Sequence, residues 1–455
     1  MKLSEHFELR NKPFFKQTLV LMAPVILQQL ITTGINFLDN LMIGSFGEIS
    51  ISAAAFGNQF YAFFQFICMG LGSGAVVMSS QFWGRKEYSS LRVTAAMALR
   101  VSAVICVAFT LLSVIRPDAV VRFYTNNPDV IRTGIPYMRL IGTTFLLAGL
   151  SSTATYLMRS VGRVNIPLIG SVIAFFLNLF LNWVFIFGKL GAPRLELVGA
   201  AVGTVIARAF EFLFVFGFFL FREERIGFRP RHFLLPGGEL RKQYIHFSVP
   251  VVISDMLLGF SLTLVGVIYG HVSAELSAAN SIANTLIQLV TVINTGMAGA
   301  SAVIIGNTVG SGDLALAKRQ GNTYLLLAVL VGLALIPPLM AIEKAYIGMY
   351  TVGDLTRKLV HSMLVMNYFT LPLISNSFVI SKGVLRGGGD TRFLLLADSS
   401  CVWFISLPLG ALAGFVWKLA PFWVFFFLRL EYPLKGIVCF IRYCTGKWIK
   451  EIKAG

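Results

Sequence analysis

Charged residues are scarce in this chain of 455 residues: Asp and Glu number 21, Lys and Arg number 38, and together they make up 13%. Hydrophobic residues reach 56%, and the mean hydropathy is +0.76. Soluble domains carry about 25% charged residues, so the composition excludes an ordinary soluble protein. Apolar runs long enough to cross a bilayer core of about 30 Å as helices recur along the sequence. We therefore predict a polytopic membrane protein.

Cysteine and histidine are also scarce, with five residues of each type. No CxxC spacing occurs, and the cysteines lie in or beside apolar segments, which favours packing positions over metal ligands or a disulfide framework. The histidines are widely scattered and form no HExxH motif, which argues against an integral-membrane enzyme. The cysteines are Cys68, Cys106, Cys401, Cys439 and Cys444.

Two glycine-rich stretches lack the features of a nucleotide site. GLGSG at 70–74 lies inside an apolar run with no preceding strand, and RGGGD at 386–390 lacks the Walker Lys followed by Ser or Thr. We expect the first to permit close helix packing and the second to form a tight turn. No ATP-driven mechanism and no bound cofactor are predicted.

Twelve apolar segments are predicted to span the membrane as helices. An even number of spans places both termini on one side, and most Lys and Arg residues fall in the loops of that side when the termini are cytoplasmic. The net charge of +17 is then explained by topology and by contact with anionic lipids, so nucleic acid is not a predicted partner. The segments are 16–44, 52–80, 93–115, 133–157, 166–188, 198–221, 244–270, 277–309, 321–343, 360–381, 393–416 and 420–441.

The two halves of the chain repeat one pattern. A shift of 226 residues aligns Pro24 with Pro250 and Asn58 with Asn284, together with several glycines. We predict an N-terminal six-helix lobe at 1–221, a cytoplasmic linker at 222–243 and a C-terminal six-helix lobe at 244–455. Six crossings per lobe give a parallel repeat, an arrangement that suits alternating access to a substrate cleft. A duplicated scaffold without a transport role is the alternative.

Several motifs, taken together, resemble the multidrug and toxic compound extrusion (MATE) family. They are FLDNLMIGSFGE, SSQFWGRKE, VGVIYGHVSAELSAANSI, IGNTVGSGD, NLFLNWVFIFG, LVGAAVGTVIAR and GVLRGGGDTRF. The resemblance covers nearly the whole chain. It implies a two-lobed antiporter of the bacterial inner membrane that exports amphipathic, often cationic small molecules in exchange for protons or sodium ions. We expect a monomer surrounded by membrane lipids.

One acid, Asp39, stands near the end of the first apolar segment, in INFLDNLMIG. A charge at the centre of a spanning helix costs about 2.5 to 3.5 kcal/mol, so such a group is retained where it is paired, hydrated or used. Asp39 matches the acid that the family carries in its first helix, which implies an ion-binding role. Asn36 and Asn40 flank it at helical spacing and are expected to share its hydrogen bonds. The alternative is an outer-end residue that only hydrogen-bonds or reaches toward water.

Asn178 and Asn182 lie one helical turn apart in segment 166–188, so both amides can point into the same lobe interior as Asp39. The family often has an Asp at the second position. This chain has Asn182 there, so its N-terminal lobe is expected to lack one of the family's proton sites. Hydrogen bonding between helices is the alternative role for this pair.

Two further acids, Asp255 and Asp398, lie in the apolar segments 244–270 and 393–416. Family members commonly use an acid in the seventh helix, and sodium-coupled members often add another in the tenth. Segment 360–381, the tenth here, contains no acid, so we favour the proton over sodium as the coupling ion. Structural pairing of these acids with each other or with polar neighbours is the alternative.

Four more residues are predicted to support the transport cycle. Arg208 and Glu211 are three residues apart on one helix, which favours a structural ion pair over a substrate contact. Pro24 and Pro250 lie inside predicted helices, where each removes a backbone hydrogen bond and produces a kink. These kinks are expected either to bend during the cycle or to remain static.

The sequence predicts an all-α membrane protein, and the resemblance to the MATE family implies a cation-coupled multidrug antiporter. The runner-up is a flippase for lipid-linked substrates of the same superfamily. Such a flippase is expected to have an arginine-rich groove for pyrophosphate, and few arginines fall inside the apolar segments here.

Overall fold

The computed structural model describes residues 6–9, 11–43, 48–350 and 352–452, without the side chains of residues 36, 37, 40, 41 and 48. Regular structure in these ranges is helical. The α-helices are α1 (Lys12–Ile43), α2 (Glu48–Arg85), α3 (Tyr88–Ile115), α4 (Pro117–Tyr124), α5 (Pro128–Ser160), α6 (Asn165–Phe187), α7 (Glu196–Phe221), α8 (Leu240–Val272), α9 (Ala274–Gly310), α10 (Leu314–Gly348), α11 (Asp354–Phe378), α12 (Thr391–Ser399), α13 (Leu407–Ala411), α14 (Pro421–Arg429) and α15 (Glu431–Cys444). Three π-helical stretches, Val379–Leu385, Ser400–Ser406 and Leu412–Val416, extend α11, α12 and α13.

Eleven of the predicted spans are long apolar helices in the described part of the chain. The twelfth predicted span, 420–441, consists of two consecutive helices: α14 ends at Arg429 and α15 begins at Glu431. Pro433 explains the interruption, because proline has no N–H to donate to the carbonyl of Arg429. The chain resumes helical bonding with the N–H of Leu434 donating to the carbonyl of Leu430 at 3.2 Å.

Polar caps explain where several long helices begin. The side chain of Asn127 accepts the backbone N–H of Asp129 at 3.0 Å before α5, and Ser273 accepts that of Leu276 at 3.0 Å before α9. Each cap satisfies a backbone donor that has no partner inside its own helix.

The described chain forms two compact units whose boundaries fall inside helices. The N-terminal unit is Pro24–Val252, and the C-terminal unit contains Ile253 onward together with the segment up to Ala23. These limits differ from the lobe boundaries expected from the loop at 222–243. The first division lies at Pro24, and the second lies two residues after Pro250, so both intrahelical prolines mark the change of unit.

Specific contacts explain why the ends of α1 and α8 belong to these units. In the C-terminal unit, the hydroxyls of Thr18 and Tyr324 are hydrogen-bonded at 2.8 Å. In the N-terminal unit, α2 packs so closely on α8 that a Cβ on Gly70 would lie 2.7 Å from Cα of Val252. The predicted packing role of the GLGSG stretch is thereby confirmed.

The loop at 222–239 is fixed to the N-terminal unit by arginines. Arg92 Nε donates to the carbonyl of Ile226 at 3.0 Å, and Arg100 Nη2 donates to that of Leu235 at 2.6 Å. Arg225 Nη1 donates to the carbonyl of Val161 at 2.7 Å. The loop expected to act as a linker is therefore a packed part of one unit.

Each unit has its own apolar core. In the N-terminal unit the core includes the rings of Phe64 and Phe145, whose centroids are 4.8 Å apart. In the C-terminal unit it includes those of Tyr269 and Phe425, 6.3 Å apart. Four of the five cysteines are buried, as expected of packing residues, whereas Cys444 is exposed.

The RGGGD stretch forms a close contact with a neighbouring helix and a tight turn, as the sequence predicts. A Cβ on Gly387 would lie 2.7 Å from the carbonyl oxygen of Ala302 and 2.8 Å from its Cα. Gly389 has a φ of +92°, which favours glycine.

We expect Gly387→Ala to destabilise the protein by about 1 to 3 kcal/mol, because the added methyl group overlaps backbone atoms that cannot rotate away. The midpoint of thermal unfolding in detergent measures the effect. Gly299→Ala is the matched control: a Cβ there meets nothing within 4 Å, so it is expected to be neutral or stabilising. Equal midpoints for the two variants would show that the contact at Gly387 is not tight.

Candidate functional site

The N-terminal unit contains a polar cavity of about 40 Å³ among α1, α2, α5, α6 and α7. This volume holds a few water molecules, since one needs about 10 to 15 Å³. The cavity combines ionisable groups with hydroxyl and amide groups. Its lining residues are Ile35, Asp39, Asn58, Tyr61, Tyr137, Ile141, Thr144, Ala174, Asn178, Thr204, Ala207, Arg208 and Glu211.

A chain of hydrogen bonds connects Asp39 with the two asparagines of α6. Asn182 Nδ2 donates to Asp39 Oδ1 at 2.5 Å and to Asn178 Oδ1 at 3.3 Å. Asn178 Nδ2 in turn donates to Thr204 Oγ1 at 3.2 Å. The structure thus brings together the three residues expected to meet in this lobe. The side chains of Asn36 and Asn40 lie outside the described part of the chain.

Arg208 and Glu211 form the predicted ion pair, with Arg208 Nη1 2.6 Å from Glu211 Oε2. Glu211 Oε1 also accepts the hydroxyl of Ser171 at 2.9 Å, and that hydroxyl accepts Gln28 Nε2 at 3.0 Å. Arg159 Nη2 donates to Gln28 Oε1 at 3.1 Å. The pair lines the same cavity as Asp39, a proximity that the sequence spacing did not indicate.

The C-terminal unit places Asp255 in a buried ionic cluster. Its carboxylate accepts Lys382 Nζ at 2.5 Å and the guanidinium of Arg386 at 3.0 and 3.1 Å. The side chain of Asp255 is 0% exposed. The acid is therefore paired with two cations, as the structural alternative anticipated.

Asp398 joins the same cluster from the other side of Lys382. Its Oδ2 accepts the hydroxyl of Ser254 at 2.8 Å and lies 3.4 Å from Lys382 Nζ. Its Oδ1 lies 3.4 Å from Lys435 Nζ. The structure thus connects the two predicted acids through Lys382, and sequence reasoning missed all three cationic partners.

Comparison with known proteins identifies the family of this chain. The sequence pattern of the MatE family matches residues 24–184 and again residues 250–412. The two matches begin 226 residues apart, the offset that aligns Pro24 with Pro250. The pattern covers most of the chain and supports the internal repeat.

Curated relatives are similar to this chain over most of its length. The chain is 25% identical over 409 residues to a probable multidrug resistance protein NorM of Agrobacterium fabrum, covering 87% of this chain and 86% of that protein. It is 27% identical over 422 residues to a NorM protein of Bradyrhizobium diazoefficiens, with 88% and 87% covered.

Two solved structures have the same fold. One is a MOP superfamily transporter from Pyrococcus furiosus, with a TM-score of 0.85 at 18% identity and 95% and 96% of the two chains covered. The other is an outward-facing multidrug resistance MATE family transporter, with a TM-score of 0.84 at 17% identity and 96% and 97% covered. At these identities the likeness shows the fold alone. By its family pattern and its helices, the chain belongs to the MatE family and is a multi-pass, all-α membrane protein.

Proposed function

We propose that the protein is a proton-coupled antiporter that exports amphipathic, often cationic small molecules by alternating access. The names of the NorM relatives, which describe multidrug resistance proteins, support efflux of small molecules. The bacterial relatives also support a place in the inner membrane. We propose cytoplasmic termini, as the distribution of Lys and Arg indicates, and a monomer surrounded by lipid.

The observation that carries this proposal is the setting of Asp39. The acid lines a cavity large enough for a few water molecules and accepts a hydrogen bond from a neutral amide, that of Asn182. Arg208, in the same cavity, is paired with Glu211. Asp39 is therefore placed to gain or lose a cation without breaking a buried ion pair.

Coupling requires only that the cation prefer one conformational state over the other. Each 1.4 kcal/mol of preference changes the ratio of the two populations about tenfold. Protonation removes the charge of Asp39 and leaves its hydrogen bond with Asn182 in place. Binding of a proton can therefore shift the equilibrium between the two conformational states without breaking this contact. We assign the coupling role to Asp39, with Asn178 and Asn182 holding its orientation.

The acids of the C-terminal unit are less suited to this role. Asp255 and Asp398 are surrounded by Lys382, Arg386 and Lys435, and a further cation would compete with these ammonium and guanidinium groups. Both carboxylates are already paired with buried cations, so we assign them to the structure of the unit.

The test is dye efflux from proteoliposomes that contain the purified protein. An imposed pH gradient is expected to drive efflux, and an imposed sodium gradient at uniform pH is expected to leave it at the level of empty vesicles. Efflux driven by sodium alone would replace the proton with sodium in the proposal. Failure of both gradients with several cationic dyes would contradict coupled export of such compounds.

A further inference from the structure

A loop of the N-terminal unit lies along helix α3 and is held there by two arginines. Arg92 Nε donates to the carbonyl of Ile226 at 3.0 Å, and Arg100 Nη2 donates to that of Leu235 at 2.6 Å. Because these arginines are about two helical turns apart, the loop follows α3 for about 12 Å. The loop consists of residues 226–238 and is named the α3 loop.

The α3 loop is also fixed by aromatic contacts. The ring of Phe228 is 0% exposed. Its centroid lies 5.4 Å from that of Phe219 in α7 and 5.2 Å from that of Phe233. A short 3-10 helix, Pro230–Leu234, forms the middle of the loop. The loop therefore holds its exposed side chains in a defined place.

One apolar side chain of the α3 loop is directed away from the protein. Leu234 is 87% exposed, the highest value among the large apolar side chains in the described part of the chain. Its neighbour Leu235 provides the carbonyl that Arg100 binds, which defines the position of Leu234 along α3. A single exposed leucine is ordinary on a protein surface, so the surroundings of this leucine decide what it contacts.

Arg100 lies where the exposed apolar side of α3 begins. Leu99 is buried, whereas Val104 is 71% and Ile115 is 64% exposed. The helix rises about 22 Å from Arg100 to Ile115, which is most of the bilayer core of about 30 Å. Arg100 therefore lies near one boundary of the core. Leu234 is at the same depth, beside the lipid headgroups and the first carbons of the acyl chains.

Basic residues surround this position. Residues 226–238 contain Arg229 and Arg231 but no Asp or Glu, and α3 contains Arg92 and Arg100 but no Asp or Glu. Arginine suits phosphate because its planar guanidinium donates two parallel hydrogen bonds to phosphate oxygens. The loop and the helix together offer such groups at the depth of the headgroups.

His232 lies within this group of arginines. Burial lowers the pKa of His232, and the charges of Arg92, Arg231 and Arg229 lower it further. Its Nδ1 accepts the backbone N–H of Arg229 at 2.9 Å. The same positive charges that disfavour a protonated imidazole favour an anion beside the loop.

The acidic residues next to the α3 loop do not neutralise its exposed arginine. Glu223 is buried, where its Oε2 accepts the backbone N–H of Ile226 at 2.7 Å and its Oε1 lies 3.9 Å from Arg163 Nε. Glu224 and Glu239 are exposed residues on either side of the loop. In the described part of the chain, none of these three carboxylates forms an ion pair with Arg231.

We propose that the α3 loop and α3 bind an anionic phospholipid. Its phosphate contacts Arg231 and Arg100, and its acyl chains lie against Leu234 and the exposed side of α3. Basic residues near a membrane surface attract anionic lipids, and the apolar contact fixes the depth of the headgroup. The proposal is independent of coupling at Asp39, because its test does not measure transport.

The experiment measures lipid contact with a fluorescent probe on the full-length protein. A bimane is attached to Leu234→Cys in a Cys444→Ser background, because Cys444 is exposed and the other four cysteines are buried. The protein is reconstituted into vesicles of equimolar phosphatidylcholine and phosphatidylglycerol. Either the phosphatidylcholine or the phosphatidylglycerol carries bromine, a quencher, on its acyl chains. Because the bromine is on the acyl chains, free phosphate cannot produce the signal.

Brominated phosphatidylglycerol is expected to quench the probe at least about threefold more than brominated phosphatidylcholine. The reason is that each Lys or Arg near the surface favours anionic lipid about fivefold. Equal quenching by the two lipids would overturn the proposal, because it would show lipid contact without a preference for negative charge.

A matched probe tests whether the loop lies in lipid or in water. Ser311→Cys, in an exposed turn between α9 and α10, is labelled in the same way. It is expected to be quenched by aqueous iodide and little by either brominated lipid. If iodide quenches the Leu234→Cys probe as strongly as the Ser311→Cys probe, the α3 loop lies in water and the proposal is wrong.

Two charge variants locate the preference. Arg231→Gln is expected to lower the ratio of the two quenching values at least about twofold. Arg122→Gln, at an exposed position of α4 beyond the other end of α3, is the control and is expected to leave the ratio unchanged. Both changes are at exposed positions, so both proteins are expected to fold. An unchanged ratio in Arg231→Gln would overturn the assignment of the phosphate to this arginine.

Discussion

Asp39→Asn is expected to reduce pH-driven efflux at least about tenfold while leaving the fold intact. The variant keeps the shape of the side chain and the contact with Asn182, but it removes the group that gains and loses a proton. Without that group, the two conformational states do not differ in proton affinity at this site. The pH gradient then cannot shift the equilibrium between them. The measurement is the initial rate of dye efflux from proteoliposomes under an imposed pH gradient.

Two further variants separate coupling from general damage. Asp118→Asn changes an exposed acid of α4 that interacts with Arg116 at 3.4 Å, and it is expected to transport like the native protein. Asp39→Glu keeps an ionisable group and is expected to retain part of the activity. If Asp39→Asn transports at the native rate, Asp39 has no part in coupling.

The arrangement around Asp39 was largely predictable from the sequence. An acid in an apolar segment requires a polar surrounding, and the spacing of Asn178 and Asn182 places two amides on one helix face. The structure confirms that these residues meet. The contributions of Tyr61 and Thr204 to the cavity lining were not predictable, because hydroxyl side chains are common in spanning helices and carry no comparable signal.

The ionic cluster was missed for a different reason. Lys435 lies inside the predicted span 420–441. A charged residue in an apolar segment is as strong a sequence signal there as it is for Asp398. Lys382 and Arg386 follow the predicted end of segment 360–381, where basic residues are expected to face the cytoplasm. The helix continues through the π-helical stretch Val379–Leu385, which keeps Lys382 buried beside Asp255.

The unit boundaries could not be read from loops because they fall inside helices. The charged loop at 222–243 has the composition of a linker, yet it is fixed by hydrogen bonds. Arg92 and Arg100 donate to carbonyl oxygens of the loop, and Arg225 of the loop donates to a carbonyl oxygen outside it. The prolines proved more informative than the loop. Pro24 and Pro250 are aligned by the repeat and stand at or next to the two divisions.

Asp255→Asn is expected to lower stability by about 3 to 5 kcal/mol, the usual cost of removing one partner of a buried ion pair. The substitution deprives the buried Lys382 and Arg386 of their shared counter-charge. Native proteins are stable by only about 5 to 15 kcal/mol, so a large fall in folded yield and in unfolding midpoint should follow. Both quantities are measured in detergent by size-exclusion chromatography and thermal unfolding.

The triple variant Asp255→Leu, Lys382→Met, Arg386→Met is expected to recover most of that stability, because apolar side chains of similar size replace buried ionic groups at little or no cost. Asp354→Asn, at an exposed position in the first turn of α11, is the control and is expected to leave the midpoint unchanged. A stable Asp255→Asn protein that loses only its pH-driven efflux would instead make Asp255 a coupling residue. The two roles can be distinguished. If Asp255 is structural, its replacement lowers the unfolding midpoint; if it carries protons, its replacement lowers only the efflux driven by a pH gradient.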